Sequence, residues 1–531
     1  MTFPKPASLL LLTALGLAST TSTADFNPFG ALNEALQQTT RQLSPSAAPQ
    51  PSAQQAQAKN RNDPLGVLTA DNRQVVYEGY SQALVPIKEL LRKGQLKQAL
   101  DALVKQHKGA ATTDLLAHLQ LGLLKLDAAD TREAVRQFSM AEQSIVADKE
   151  QSTVSGFFSG FKNLSLTTVS GNEELSDYQG VGFERVLMLN YKSIAYMLQG
   201  KRKAYNVTRR AIDLQNLEKK KFDERLREAK KEIREEEKKQ QQKGAELEGL
   251  DALVEQQYKV NERKALSVPS AFVNPFGFYI AGVVQELDSY EDPSLRDNAR
   301  ISYKKALELN PKSKVIKLAI RQTKKPPPRN RRLVHVIVGD GFAPEKKLLK
   351  FSLNLGRGLP TEIELPIYEP VPSKVHRIEA QTTKGRRWAR LSEVSDITAL
   401  ALRYQKDAGP LVQLRMMTTV IRNLIEGEAW NQMAQKTGLF GGAILALKKE
   451  RDKMAHPDMR SWSLLPSRLL AARFYVPRSV SRFKIVSYDK RGRVLASKLV
   501  QLDKESHNVV YARTLDKTIY TVSSDKMWVG R

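Results

Sequence analysis

Between residues 73 and 217 apolar side chains recur at steps of three and four, the spacing that gathers them on one face of a helix. The clearest stretch is 114–146, where Leu121 and Gly122 are followed by Ala134, Phe138 and Ala141. A weaker copy precedes it in Gly94, Leu96, Ala99 and Leu103. A third follows in Ala204 and Ala211, behind a Leu-, Met- and Tyr-rich helix at 183–198. The pattern returns over 274–313. There Phe278, Ala281 and Gly282 mark one helix, and Ala299, Tyr303 and Ala306 a second, which Pro311 ends because proline cannot continue a helix. After 333 the period shortens to two, and 333–338, 348–355, 361–367, 375–382, 482–488, 494–502, 509–513 and 518–523 read as strands. Asp489-Lys-Arg-Gly492 reads as a hairpin turn. Between these strands, 391–435 becomes helical again through Ala399, Leu402, Leu411, Leu414, Val420 and Ile421.

A small residue, an aromatic four positions on and a second small residue three further is the helix-pair pattern of the tetratricopeptide (TPR) repeat. The small positions let two helices approach and the aromatic fills the groove between them. The predicted fold is therefore mixed, α then α+β. A TPR-like α-solenoid with an inserted helical hairpin precedes a β-sandwich-like domain that carries a helical insertion at about 391–470.

The expected divisions are 1–24, a signal peptide; 25–72, a Gln-, Ser-, Ala- and Pro-rich tether; 73–320, the helical domain; 321–332, a basic Pro-rich linker; and 333–531, the cationic β-rich domain. Within the helical domain 217–262 is a charge-dense excursion. Phe222, Leu226, Ala229 and Ile233 form a narrow coiled-coil seam. Leu247, Leu250, Val254 and Tyr258 form a second stripe beyond Gly244, so an antiparallel hairpin is expected. Residues 151–180, with Phe157, Phe158 and Phe161, read as a long loop whose aromatics pack on the helices.

The N-terminus changes the expected address. An apolar run from Ser8 to Ala18, too short to span a bilayer, precedes the small residues Ser22-Thr-Ala24, which predicts export with cleavage before Asp25. No other apolar run reaches the length of a membrane span, so no transmembrane segment is expected in the mature chain. The chain has no cysteine, which excludes disulfides, thiolate metal sites and a Cys nucleophile. Net charge is +27 and unevenly spread: 312–531 holds 43 Lys and Arg against 19 Asp and Glu, while 1–311 holds 41 against 38. An anionic partner should meet the C-terminal part.

Candidate chemistry is sparse. The six histidines, His107, His118, His335, His376, His456 and His507, lack metal-ligand spacing, and neither a Gly-x-Ser-x-Gly elbow nor a phosphate loop is present. Gly339-Asp-Gly341 after a strand reads as a turn in which glycine takes positive φ, with Asp340 the one acid open to suspicion. No catalytic, cofactor or metal site is predicted. The candidate anion-binding residues are basic: Arg329, Arg331 and Arg332 of the linker, Arg386, Arg387 and Arg390 around Trp388, and Lys490, Arg491 and Arg493 on the hairpin tip. In an exported protein the available anions are phospholipid headgroups, lipopolysaccharide phosphates and cell-wall acids; nucleic acid is not an expected partner.

Four further segments carry a resemblance. Gly182-Phe-Glu-Arg-Val-Leu-Met-Leu-Asn-Tyr-Lys192, Asn274-Pro-Phe-Gly-Phe-Tyr279, Val336-Ile-Val-Gly-Asp-Gly-Phe-Ala-Pro344 and Leu365-Pro-Ile-Tyr368, in that order, resemble an uncharacterised bacterial envelope family with TPR-like repeats. Its members are often lipoproteins, sometimes encoded near a penicillin-binding-protein activator. The resemblance implies a cell-wall or outer-membrane setting and supplies no catalytic residues. The chain departs from it at Thr20, where a lipidated Cys would stand. The expected function is a non-enzymatic scaffold of the cell envelope, periplasmic and peripheral at the outer membrane. Its repeats would bind envelope proteins and its basic domain an anionic surface. A lipid- or membrane-surface-binding module and a cell-wall enzyme are the alternatives.

Overall fold

The computed structural model describes residues 74–76, 80–107, 114–151, 178, 180–242, 262–325, 328, 330–353, 361–414, 416–417 and 457–525. All lie within Ala58–Arg531, one compact unit, and the architecture is mixed helix and sheet with several sheets. The second stripe of the expected hairpin and most of the long loop at 151–180 fall outside the described residues.

The helices come first. They are α1 (Tyr80–Arg92), α2 (Leu96–Gln106), α3 (Leu115–Asp127), α4 (Thr131–Gln151), α5 (Gly182–Leu198), α6 (Lys203–Gln242), the short α7 (Glu262–Ala265), α8 (Pro275–Asp288), α9 (Leu295–Leu309) and α10 (Lys314–Gln322). Local chemistry fixes several starts. Asp114 caps α3 by accepting from the Ala117 amide at 3.0 Å, and Asn274 caps α8 by accepting from Phe276, with Pro275 in the first turn. Helices pack as the pairs α3/α4, α5/α6 and α8/α9, and successive pairs touch.

In two pairs a glycine admits the partner's ring. A Cβ on Gly122 would lie 2.6 Å from the Phe138 ring, and one on Gly282 2.6 Å from the Tyr303 ring. Both rings are fully buried and cannot swing aside. Gly282→Ala should therefore cost about 1–3 kcal/mol through overpacking. Gly409→Ala, where nothing lies within 4 Å of the new carbon but Pro410 follows and disfavours a helical alanine, should cost less than Gly282→Ala by urea midpoint.

The excursion expected from 217 has no boundary there. α6 is continuous for 40 residues, because Phe222, Ala229 and Ile233 extend the phase of Ala204, Val207 and Ala211 without a breaker. Phe222 packs on Phe272 and Tyr404, at ring distances of 4.7 and 5.4 Å.

The strands form three sheets. Strand β1 (Gln74–Val76) pairs antiparallel with β3 (Glu345–Leu353), and β3 with β4 (Thr361–Glu369). A five-stranded sheet has the order β12–β11–β2–β8–β7: Thr518–Ser523, Asn508–Leu515, Arg331–Asp340, Arg468–Pro477 and Ser392–Asp396. Its β11–β2 pair is parallel and the others antiparallel. A four-stranded antiparallel sheet has the order β10–β9–β5–β6: Val494–Gln501, Arg482–Tyr488, Arg377–Gln381 and Arg387–Arg390. The segment expected to be a helical insertion from 391 begins and ends in strand. β7 occupies its start, α11 (Ile397–Asp407) follows under an Asp396 cap, and β8 enters at Arg468; 418–456 lies outside the described residues.

The five-stranded sheet is buried on both faces, and strand alternation assigns each residue to one of two cores. Val334, Val336 and Val338 of β2, with Leu470, Ala472 and Phe474 of β8, meet Ile378, Phe483 and Ile485 of the four-stranded sheet. On the other face Ile337, Leu469, Ala471, Val509 and Tyr511 join the core of the helices. Trp462, Tyr191, Phe138 and Tyr511 form its centre, with ring distances of 6.0–6.5 Å between neighbours. The apolar core thus continues across the linker, and the inner side of the helical array is filled by the chain's own sheet.

Asp127, at the end of α3, meets that sheet face. Its carboxylate accepts from the Tyr511 hydroxyl at 3.0 Å, and burial pushes its pKa up to about 6 against the opposing pull of Arg513 and Tyr511. A raised pKa means the fold holds this proton more tightly than the unfolded chain does. Its contribution is most favourable below the ordinary value of 3.8 and is lost as pH rises through about 6. Asp127→Asn should consequently be more stable at pH 7, by ~2 kcal/mol. Urea midpoints measured across that acid window should lose part of their slope.

Candidate functional site

The basic residues singled out from sequence do not converge. Arg329 lies outside the described residues. Arg331 and Arg332 open β2, and adjacent residues of a strand point to opposite faces. Arg331 is exposed, but Arg332 is buried and donates to the carbonyl of Val480, which corrects its assignment as an anion-binding side chain. Its guanidinium ties the start of β2 to the turn after β8.

Arg386, Arg387 and Arg390 are exposed on the β5–β6 hairpin, and Arg387 reaches Glu379 at 3.5 Å. Lys490, Arg491 and Arg493 are exposed on the β9–β10 turn, where Asp489 caps the turn through the Arg491 and Arg493 amides and pairs with Arg493 at 2.8 Å. The two groups occupy opposite ends of one sheet. Tyr488, beside the β9–β10 turn, faces Arg377 at the start of β5, whereas Gln381, beside the β5–β6 turn, faces Lys484. With ~3.4 Å per residue the tips stand about 20 Å apart. Each can contact an extended anionic surface at the same time as the other; they do not form a pocket for one small anion.

The acids and histidines of interest are committed to the interior. Asp340 ends β2 fully buried. Its carboxylate accepts from Thr514 at 2.6 Å, Ser373 at 3.1 Å and Arg468 at 2.9 Å, and its carbonyl accepts from the Ser467 amide and hydroxyl. Gly341 beside it takes φ of 67°, and its carbonyl accepts from Arg513. Asp340 thus pins the joint between β2, β8 and β11. Asp340→Ala should cost roughly 2–4 kcal/mol by stranding Arg468 and Thr514, read as a lower urea midpoint.

His335 is also fully buried, with Nε2 3.2 Å from the Glu286 carboxylate, and burial pushes its pKa down. The Leu333 amide donates to Nδ1 of His507 at 2.9 Å, which fixes the neutral tautomer; burial takes its pKa to about 4. His118 contacts Gln137 at 2.8 Å inside the α3/α4 pair. Glu286 of α8 meets Arg473 of β8, the Tyr303 hydroxyl at 2.9 Å and His335, a buried cluster at the seam between helices and sheet. Among the described residues no group of three or more His, Cys, Asp or Glu is placed to hold a metal ion.

Sequence reasoning passed over Arg377, Arg482 and Lys484, which share the four-stranded sheet with the two basic tips. The available signal was Arg482 and Lys484 on alternate positions of one strand, between the apolar Phe483 and Ile485. No family model, no curated protein and no solved structure matches this chain.

Proposed function

We propose that the chain is an exported, non-enzymatic scaffold of a bacterial cell envelope, periplasmic and peripheral at the outer membrane. Its helix pairs are read as TPR-like repeats that hold envelope proteins, and its sheet-rich half faces an anionic surface. The observation that carries this reading is the separation of charge. The 43 basic against 19 acidic residues of 312–531 follow a nearly balanced 1–311. Of that surplus, the basic tips of the four-stranded sheet are turned outward. Protein partners would meet the outer faces of the helices, where Val85, Val104 and Ile301 are exposed, since the inner side is occupied by the sheet.

The test is photo-crosslinking of the full chain in the native cell from positions beside Val104 and Ile301, with identification of the products. A small, reproducible set of envelope proteins is the expected result. Products confined to cytoplasmic proteins would overturn the address, and turnover of wall fragments by the purified chain would replace the scaffold with an enzyme.

A further inference from the structure

The four-stranded sheet turns one face to the second core; the other carries its exposed side chains around a middle in which Val486, Glu379 and Gln381 are buried. Phe483 and Ile485 of β9 point inward, so Arg482, Lys484, Val486 and Tyr488 point out. The register carries this outer face across the strands in rows. Val494, Tyr488 and Arg377 form the first, and Ser497, Val486, Glu379 and Arg390 the second. Leu499, Lys484, Gln381 and Arg387 form the third, and Gln501 with Arg482 the last. At ~4.8 Å between strands and ~3.4 Å per residue the face measures about 15 by 20 Å.

Its charge is one-sided. The segments 377–390 and 482–501 hold eleven Lys or Arg, of which Lys498, opposite the inward Ile485, is on the other face, and two acids, Glu379 and Asp489. Glu379 is buried beneath Arg377 and Arg387, and Asp489 is held by Arg493, so neither presents a free carboxylate. The face is also partly apolar. Val494 is 58 % exposed and Leu499 42 %, two of the six large exposed hydrophobics among the described residues. Cations mixed with aliphatics on one flat face suit a bilayer, which takes the cations at the phosphate level and the aliphatics just below it. Single-stranded nucleic acid calls instead for aromatic rings on which bases stack. The Arg377 guanidinium sits over the Tyr488 ring at 4.3 Å, and Trp388 turns inward onto Phe474 and Phe483, so neither ring is offered.

We infer that the outer face of this sheet is a docking surface for an anionic phospholipid bilayer, with the two basic tips as its ends. This rests on the anion-facing half of the proposed function and names its source and its residues.

The test is flotation of the full chain with vesicles of phosphatidylglycerol in phosphatidylcholine, against phosphatidylcholine alone, over a salt series. The wild type should bind the anionic vesicles only, more weakly as salt rises. Arg387→Gln/Arg482→Gln/Lys484→Gln should lower the partition coefficient about 100-fold, at roughly fivefold per cation. Lys97→Gln/Lys304→Gln/Lys312→Gln removes the same charge from exposed positions on the helices and the α9–α10 turn and should lower it less than tenfold. Val494→Ser/Leu499→Ser should reduce the binding that survives high salt. All these positions are at the surface, and an unchanged urea midpoint confirms each fold.

Equal losses in the two charge variants, or none in the first, would overturn the face assignment while leaving the anion-facing reading in place. A wild type indifferent to anionic vesicles would sink both. Displacement from vesicles by single-stranded RNA that binds more tightly would make nucleic acid the occupant and overturn the proposal.

Discussion

Arg473→Met should lose about 3–5 kcal/mol of stability, the loss typical when one partner of a buried ion pair is removed. Arg473 has no exposed side-chain surface, and its guanidinium engages both oxygens of Glu286 together with Gln322 and the Tyr475 hydroxyl. It therefore joins α8, α10 and β8. Burial alone would raise the Glu286 pKa, but the Arg473 charge and the hydrogen bonds of His335 and Arg473 hold it well below the usual carboxylate range.

The sign of the pH effect follows. A depressed carboxylate stabilises the fold above its unfolded value of 4.5, and that contribution is lost as pH falls. In the methionine variant Glu286 keeps only Tyr303 and His335 in a dry site, its pKa rises, and the slope reverses: the variant gains on the wild type as pH is lowered. Adding Glu286→Gln should recover a large part of the loss, because no buried charge remains. Urea midpoints of the two singles and the double at two pH values measure the coupling. A single variant as stable as wild type would show that the cluster is open to water.

Residues 73–325 and 330–531 produced as separate chains, which leaves α10 and β2 whole, should each be insoluble or lack a cooperative transition. Co-expression should restore a soluble complex. Phe138, Tyr191, Trp462 and Tyr511 are buried at the seam and come from both sides of the linker. A ring of this kind buries ~150–250 Å². At ~25 cal/mol per Å², exposing half of four such rings costs on the order of 10 kcal/mol, comparable with the whole stability of a domain. The helical part would also keep Glu286 without Arg473, and the sheet part Arg473 without Glu286. Circular dichroism and thermal melts of the three preparations check this. A monodisperse helical fragment with a sharp melt would show that the helices do not need the sheet.

The sequence announced elements better than it announced their neighbours. Helix pairs were legible because small and aromatic residues recur at fixed steps, and the outer strands because one face is wet and alternation survives. β8 was missed for the opposite reason. Arg468–Pro477 sits between two cores, so both its faces are apolar and no period of two remains. Arg473 within it looks like a surface residue until Glu286, 187 positions earlier, is brought against it. β7 is five residues with one fully buried apolar side chain, Val394, too little to interrupt a helical pattern. Arg331 and Arg332 carry the simplest lesson. Two adjacent basic residues in a strand cannot both face the same surface, so a doublet that looks like a patch in one dimension supplies only one cation. The outward face of the four-stranded sheet was hidden because its rows join positions more than 100 residues apart, such as Arg377 and Tyr488.

The pairing order of the five-stranded sheet bears on the time at which the protein can exist. β2, at 331–340, is hydrogen-bonded on one side to β8, at 468–477, and on the other in parallel to β11, at 508–515. One edge of β2 waits for residues 468–477 and the other for 508–515, and closing such long loops is slow. The helices, whose inner side waits for that sheet, must pass through an interval with aromatic surface unprotected. A chain that has not reached residue 515 therefore lacks the completed sheet that covers the helices. Completion of the shared core is thus a late event, later than the separately recognisable halves suggest.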